Sequence, residues 1–476
     1  MLSIGINEKQ LKKIGKIPEA LLIQETNCKE VINSLTLKAS STNDISALED
    51  IQKKLRDQQI VLESIDKKMN GYPSYVRLKF ADNTIGIDEL RNQVIPSDGV
   101  LVSYHWGDSS LLTWIISRKN FEHIETKVDD SLKVAINNLY KSLTSIEAYS
   151  DRANRSAIAL IYSKLVKPIE DKIDGFRQLM IIPDDEINFV PFDILLNDQD
   201  ERALEKFRIA YNYSCTLLRR SVMVDQETSQ SAIGFAPYAG KELNTQSADL
   251  PLLPGSAAEI ANIKGKVLVG RQASKDSFLT IASGYPIIHL ATHAFANDAN
   301  PIQSFIAFYP GTTDSTSKNK LYSSEISGLN LGRTQLVILS ACETGKGQLL
   351  KGEGIISLAR SFYYAGCPNM ITSQWKADDG STAFISERIH RYLGGQKGIA
   401  EALFLAKKDY LEDISIDTRL KTPAYWAHLR FTGQFDYSDK NSLTWLWWFI
   451  PIVIGFTLFM MQKILLASRT NRKGFS

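Results

Sequence analysis

Hydrophobic and polar positions repeat with different periods along the chain, and the changes of period divide it. In the first seventy residues the apolar side chains recur at helical spacing. Leu48, Ile51, Leu55, Leu62, Ile65 and Met69 form an a/d stripe broken once, at Gln58. At about three heptads, the stripe predicts a helix packed on its own body rather than a coiled-coil partner. Gly71, Tyr72 and Pro73 punctuate its end. From Tyr75 to about Thr126 the texture turns to short strands, YVRLKF, GVLVSYHW, LLTWIIS and FEHIET, with Gly107-Asp108 at a hairpin turn. A helical stretch follows, roughly 129–173.

Beyond it, apolar runs alternate with amphipathic helices. The runs are LMIIP (179–183), AIGFAP (232–237), VLVG (267–270), IIHLATH (287–293), FIAFYP (305–310), LVILSAC (336–342) and NMITSQW (369–375). The helices are AAEIANIK, KDSFLTIAS, EGIISLARSFYYAG and STAFISERIHRYL. Continuous apolar strands separated by helices predict an α/β fold, a mainly parallel sheet covered on both faces. Glu353 and Ser381 fall near helix starts and Gly366 after a helix end.

The pattern changes once more at the C-terminus. Between Lys440 and Lys463, 22 residues pass without a charge. At 1.5 Å per residue such a run crosses a hydrocarbon core of about 30 Å. Trp445, Trp447 and Trp448 sit at one end as an interfacial belt would, which predicts a single-pass membrane helix at 443–467. Its orientation is open. Lys463, Arg469, Arg472 and Lys473 favour a cytoplasmic tail and a body outside, whereas an N-terminus without an apolar signal segment favours a cytoplasmic body. The expected organisation is a helical region (1–72), a strand-rich lead-in with a helix (73–150), the main α/β domain (151–435), a linker (436–442), the membrane helix (443–467) and a basic tail (468–476).

Composition narrows the function. The chain has 476 residues, 44% hydrophobic and 23% charged, with a net charge of +2. That near balance argues against a general nucleic-acid binder. Four cysteines, Cys28, Cys215, Cys342 and Cys367, lack the pairing of a disulfide scaffold or a zinc site.

In open α/β sheets functional groups gather beyond the carboxyl ends of the strands. IIHLATH ends in His293 and LVILSAC ends in Cys342. An imidazole that takes a thiol proton and a thiolate that attacks a carbonyl make a cysteine peptidase dyad. The separation of 49 residues is close to the roughly 50 between the caspase histidine and cysteine. Glycines at 345, 347, 352 and 354 make a loop that lets backbone approach a peptide. Backbone N–H groups of Cys342 and Ala294 are candidates for an oxyanion hole. Cys28, Cys215 and Cys367 read as small buried hydrophobes, and His105, His123, His390 and His428 as structural. His289 competes with His293, being four residues away on the same strand face. It sits mid-run, where it is buried, while His293 is at the exposed end.

At these residues the chain resembles the CHAT domain family, caspase-like cysteine peptidases related to separases. The resemblance runs through IIPDDEINFVPFDIL (181–195), YNYSCTLL (211–218), IIHLATHAF (287–295), LYSSEISGLNL (321–331), LVILSACETGKG (336–347), GEGIISLARSFYYAGCPNMITSQW (352–375), ALFLAKKDYL (402–411) and PAYWAHLRFTG (423–433). It covers about residues 150–435, and the lead-in resembles that of bacterial members. It implies a caspase-like sheet flanked by helices, His293 as general base, Cys342 as nucleophile, hydrolysis of peptide bonds in a protein substrate, and no metal or other cofactor. The alternative is a membrane-tethered pseudo-protease or scaffold that binds partner proteins. Three features depart from the family pattern. Tetratricopeptide repeats are missing, Gln374 stands in Ser373-Gln374-Trp375, and His390-Arg391 replaces a common aromatic pair. A site selective for Arg or Lys before the cut bond needs a carboxylate, and Glu343, Asp378 and Asp379 are nearest in sequence, although the two aspartates also suit a helix start. Asp298 reads as an exposed loop residue.

Overall fold

In the computed structural model the described residues are 17–41, 44–72, 84–145, 149–222, 231–239, 250–297, 303–309, 319–340, 347–350, 354–376 and 378–437. An eleven-stranded sheet runs through them. We number its strands in chain order: β1 (Gly99–Trp106), β2 (Ser110–Ser117), β3 (Phe121–Lys127), β4 (Gln178–Ile182), β5 (Arg208–Tyr211), β6 (Ala232–Ala236), β7 (Gly265–Val269), β8 (Ile287–Leu290), β9 (Leu336–Leu339), β10 (Asn369–Ser373) and β11 (Leu429–Thr432). Their spatial order is β3-β2-β1-β4-β5-β11-β10-β9-β8-β6-β7.

The sheet is two parallel blocks back to back. In one, β1, β4, β5 and β11 run parallel, and β2 and β3 extend it as an antiparallel meander. In the other, β10, β9, β8, β6 and β7 run parallel. The blocks meet where β11 pairs antiparallel with β10. Every residue of β4, β6, β9 and β10 is buried, as strands covered on both faces must be. The strand-rich lead-in is joined to this sheet through β1 and β4. Phe235 of β6 packs with Phe278 and Phe308, the three ring centroids lying 5.3–6.1 Å apart. Burial of each such ring contributes about 1.5–3 kcal/mol.

Several expectations are revised. FIAFYP adds no strand to the main sheet: Phe305–Ala307 pairs with Ala294–Phe295 and Lys320–Tyr322 in a small antiparallel sheet. The helix expected from Glu353 starts later, because Gly354–Ser357 pairs with Gly347–Leu350 as a hairpin and the helix is Leu358–Tyr364. Gly366 takes a left-handed φ of 105° just beyond that helix, where glycine alone is unstrained. The a/d stripe packs on the preceding helix: Ile65 and Met69 bury against Ile17 and Cys28 in a hairpin of Glu19–Ser41 with Ile45–Met69.

The membrane assignment is withdrawn. No helix among the described residues is long and apolar enough to cross a membrane. The longest, Ile45–Met69, has 25 residues but carries charges throughout. The 443–467 segment and YVRLKF lie outside the described residues.

The helix Ile399–Glu412 is capped by a residue distant in sequence. The Asp436 carboxylate accepts the N–H groups of Ala400 (3.1 Å) and Glu401 (2.7 Å). The Asp436 backbone N–H donates to the Gln178 Oε1 of β4, and Gln178 Nε2 donates to the Asp436 carbonyl, each at 2.8 Å. A Cβ on Gly398 would run into the Asp436 carboxylate. Gly398→Ala is therefore expected to destabilise the protein by about 1–3 kcal/mol. Urea denaturation reads this directly, and an unchanged midpoint would show that the cap has room to move.

Candidate active site

The chain leaves β6 outward to β7 and then returns to β8 on the other side of β6. Strand order therefore reverses between β6 and β8, and a crevice opens outside the carboxyl ends at such a reversal. Tyr238 follows β6, His293 follows β8, Ser340 follows β9, and Trp375 and Lys376 follow β10, all on this edge.

His293 is held on two sides. Its Nε2 lies 2.8 Å from the carbonyl oxygen of Pro251. A carbonyl only accepts, so Nε2 carries the hydrogen and the neutral ring keeps its lone pair on Nδ1. Tyr238 packs edge-on to the imidazole at 4.8 Å between centroids. Tyr238 is fixed in turn, because its hydroxyl donates to the Phe308 carbonyl at 3.1 Å and its own carbonyl accepts from the Leu253 N–H at 2.9 Å. That last bond also pins the segment carrying Pro251. Burial lowers the His293 pKa, the Pro251 carbonyl and the Asp379 carboxylate oppose this, and Lys376 adds to the lowering.

His289 and His293 do not share a strand face. β8 ends at Leu290, so the alternation stops before His293 is reached. Nor is His293 at an exposed end, since it keeps only 9% of its surface. What separates the two is their partners. His289 Nδ1 faces His390 Nε2 at 2.7 Å, and its Nε2 faces Ser340 Oγ at 3.0 Å. Ser340 Oγ donates to Glu259 Oε2.

Cys342 and Glu343 lie outside the described residues, as does Asp298. The register, however, pairs Leu339 of β9 with Leu290 of β8. Cys342 follows Leu339, and His293 follows Leu290, by the same three residues of chain. Ala294 directly follows His293 and pairs opposite Ile306. Asp378 caps the helix Asp379–Gly394, accepting the Ser381 N–H at 2.9 Å. Asp379, in its first turn, is exposed and acts electrostatically on both His293 and Glu259. Gln374 is buried, with its carbonyl accepting from Tyr140 at 2.9 Å. Among the described residues no cluster could hold a metal ion.

Sequence reasoning missed Pro251, Tyr238, Ser340, Glu259 and the partnership of His390. Pro251 acts through its backbone, which leaves no side-chain signal. Ser340 stands inside the LSAC motif and was the one legible clue.

The CHAT domain family model matches residues 155–434, and the chain belongs to that family. No curated protein matches it. Among solved structures, the Saccharomyces cerevisiae separase–securin complex at 2.6 Å is similar at a TM-score of 0.43 and 10% identity, covering 90% of this chain and 37% of that one. A second determination of that complex, at 3.0 Å, gives 0.43 and 10% over 86% and 36%. A structure described as a protease gives 0.38 and 10% over 64% and 75%. The chain thus spans about 37% of the separase chain it matches. None of these matches supports a bacterial source.

Buried titratable groups set the response to pH. Burial lowers His289 and His428 to about 3 and His390 well below its usual value. It raises Glu259 to about 8 and Asp436 to about 6. The histidines are neutral inside and gain a proton on unfolding, so their stability is lost as pH falls below about 6.5. The carboxyls are protonated inside more readily than in the unfolded chain, so theirs is lost as pH rises, through about 6 for Asp436 and about 8 for Glu259. Stability is expected to peak near pH 6–7 and to fall most steeply below about pH 4, where the histidines act unopposed. Urea titrations from pH 3 to 9 check this, and a steady rise to pH 9 would contradict it.

Proposed function

We propose that the chain is a caspase-like cysteine endopeptidase that hydrolyses peptide bonds within a protein substrate. The observation that carries this reading is the hydrogen bond from His293 Nε2 to the Pro251 carbonyl. It fixes a neutral imidazole whose Nδ1 is left as the base. In this mechanism His293 Nδ1 removes the Cys342 Sγ proton, and the thiolate adds to the scissile carbonyl carbon. The tetrahedral oxyanion takes hydrogen bonds from the backbone N–H groups of Cys342 and Ala294. Collapse breaks the C–N bond, and the imidazolium returns the proton to the leaving amine. Water, deprotonated by the same ring, then hydrolyses the thioester and frees the thiol. The Pro251 carbonyl steadies the imidazolium, because it accepts from Nε2 in both protonation states. Glu343, Asp378 and Asp379 are the carboxylates in our proposal for the recognition pocket. Asp379 is favoured among them for its charge beside His293.

A second reading, a non-catalytic scaffold, draws on the N-terminal helical hairpin, where Ile23, Val31, Ile60 and Val61 are 43–64% exposed. It expects stoichiometric capture of a partner that survives Cys342→Ala.

The experiment incubates the full chain, Cys342→Ala and His293→Ala with a complex protein extract and sequences the new N-termini. New termini are expected only with both residues intact, with cleavage by His293→Ala reduced about 10²–10⁴-fold. Identical termini from Cys342→Ala would defeat the peptidase assignment.

A further inference from the structure

Two residues before Cys342 the chain enters a buried polar relay that the proposed peptidase mechanism leaves unused. Its four members come from four elements: Glu259 from the helix Ser256–Ile260, Ser340 from the end of β9, His289 from β8 and His390 from the helix Asp379–Gly394. His289 is fully buried, and Glu259 and His390 are 5% and 6% exposed. The two imidazoles stack at 5.0 Å.

The hydrogen-bond directions are coupled. Ser340 donates its one hydroxyl hydrogen to Glu259, so toward His289 its oxygen accepts. His289 then carries its hydrogen on Nε2, and its Nδ1 accepts from His390 Nε2–H. The opposite direction also satisfies every group: an acid Glu259 donates to Ser340, Ser340 to His289, and His289 to His390. An ionised Glu259 accepts only, and so admits the first direction alone. Glu259 is therefore the member whose protonation governs the relay. The groups around it are Ser340, His289 with His390 behind it, and the Asp379 carboxylate at the start of the helix that carries His390. Burial first, and then the Asp379 charge, raise Glu259 to about 8, while its bond to Ser340 opposes the rise.

We propose that Glu259, Ser340, His289 and His390 are positioning residues that hold the end of β9 through the Ser340 hydroxyl and thereby set the reactivity of Cys342. The inference rests on the reading of Cys342 as nucleophile. Ser340 is joined to Cys342 through Ala341 alone. A displacement of Ser340 therefore reaches the thiol by covalent geometry, and misplacement by about 1 Å reduces reactivity up to about 100-fold.

The test is alkylation of the full chain by iodoacetamide between pH 5 and 9.5, with the rate at each cysteine read by mass spectrometry of its peptide. No substrate is needed. The other cysteines serve as controls, since burial raises Cys215 to about 11, Cys367 to about 12 and Cys28 above its usual value. Cys342 of the unmodified chain is expected to react well below the free-thiol pKa of about 8.5. Ser340→Ala is expected to slow Cys342 about 10- to 100-fold at pH 7. Ser340→Thr, which restores the hydroxyl, is expected to recover most of that loss. Glu259→Gln, whose amide can still pair with the Ser340 hydroxyl, is expected to keep most of the Cys342 rate while circular dichroism stays unchanged. A primed Cys342 whose rate is unchanged in Ser340→Ala would overturn the relay and leave the nucleophile standing. A Cys342 that reacts like a free thiol in the unmodified chain would overturn the nucleophile, and the relay's role with it.

Discussion

The parallel register between β8 and β9 is the constraint on which the site depends. Side chains alternate with period two, so a slip of one residue would turn His289 away from Ser340. Strands buried on both faces carry no inside–outside pattern to prevent such a slip. Here it is prevented at the strand starts. Thr334 donates its hydroxyl to the Tyr285 carbonyl, and the N–H groups of Gln335 and Leu336 both reach the Pro286 carbonyl. Asn369, at the head of β10, donates to the Gln335 carbonyl and accepts from the Gln434 N–H. Asn212, just past β5, donates to the Gly433 carbonyl. A row of polar side chains thus staples the strands end to end, and the apolar runs fill in behind it.

The antiparallel seam gives the two blocks different work. Carboxyl ends of β10, β9, β8, β6 and β7 converge on one edge, and those of β1, β4, β5 and β11 face the opposite way. The first block can present chemistry, and the second buttresses it. Charges are buried along the buttress. Lys407 pairs with Asp193 at 3.2 Å, and Arg430 lies 3.5 Å over the Tyr211 ring while donating to the Asn188 carbonyl. Buried pairs of this kind add little net stability, but removing one partner strands the other, so they specify a single packing of the seam.

The strands of the block that carries the candidate site were legible because each lies in a largely apolar run. β5 and β11 were not, because Arg208 and Arg430 interrupt their apolar character. Those charges are answered only in three dimensions, by Glu401 at 3.1 Å and by the Tyr211 ring. FIAFYP looked like its neighbours in composition, yet its Phe305–Ala307 pairs with Ala294–Phe295 in the small sheet. At the candidate site, His293 stands out in the sequence by its place at the end of an apolar run. Its environment does not, since a carbonyl and a ring edge leave no motif. His390 looked incidental, and its meaning appears only where folding brings it to His289, 101 residues away in the chain.

The Asp436 clasp gives the fold a mechanical property. A load applied along the chain past residue 436 meets four hydrogen bonds together, two into Gln178 at the head of β4 and two at the start of the helix Ile399–Glu412. Bonds that share a load yield in concert, whereas a strand pulled from its end opens one rung at a time. The clasp would hold β11 in register between β5 and β10 under tension, and keep the seam closed while the segment beyond it is pulled.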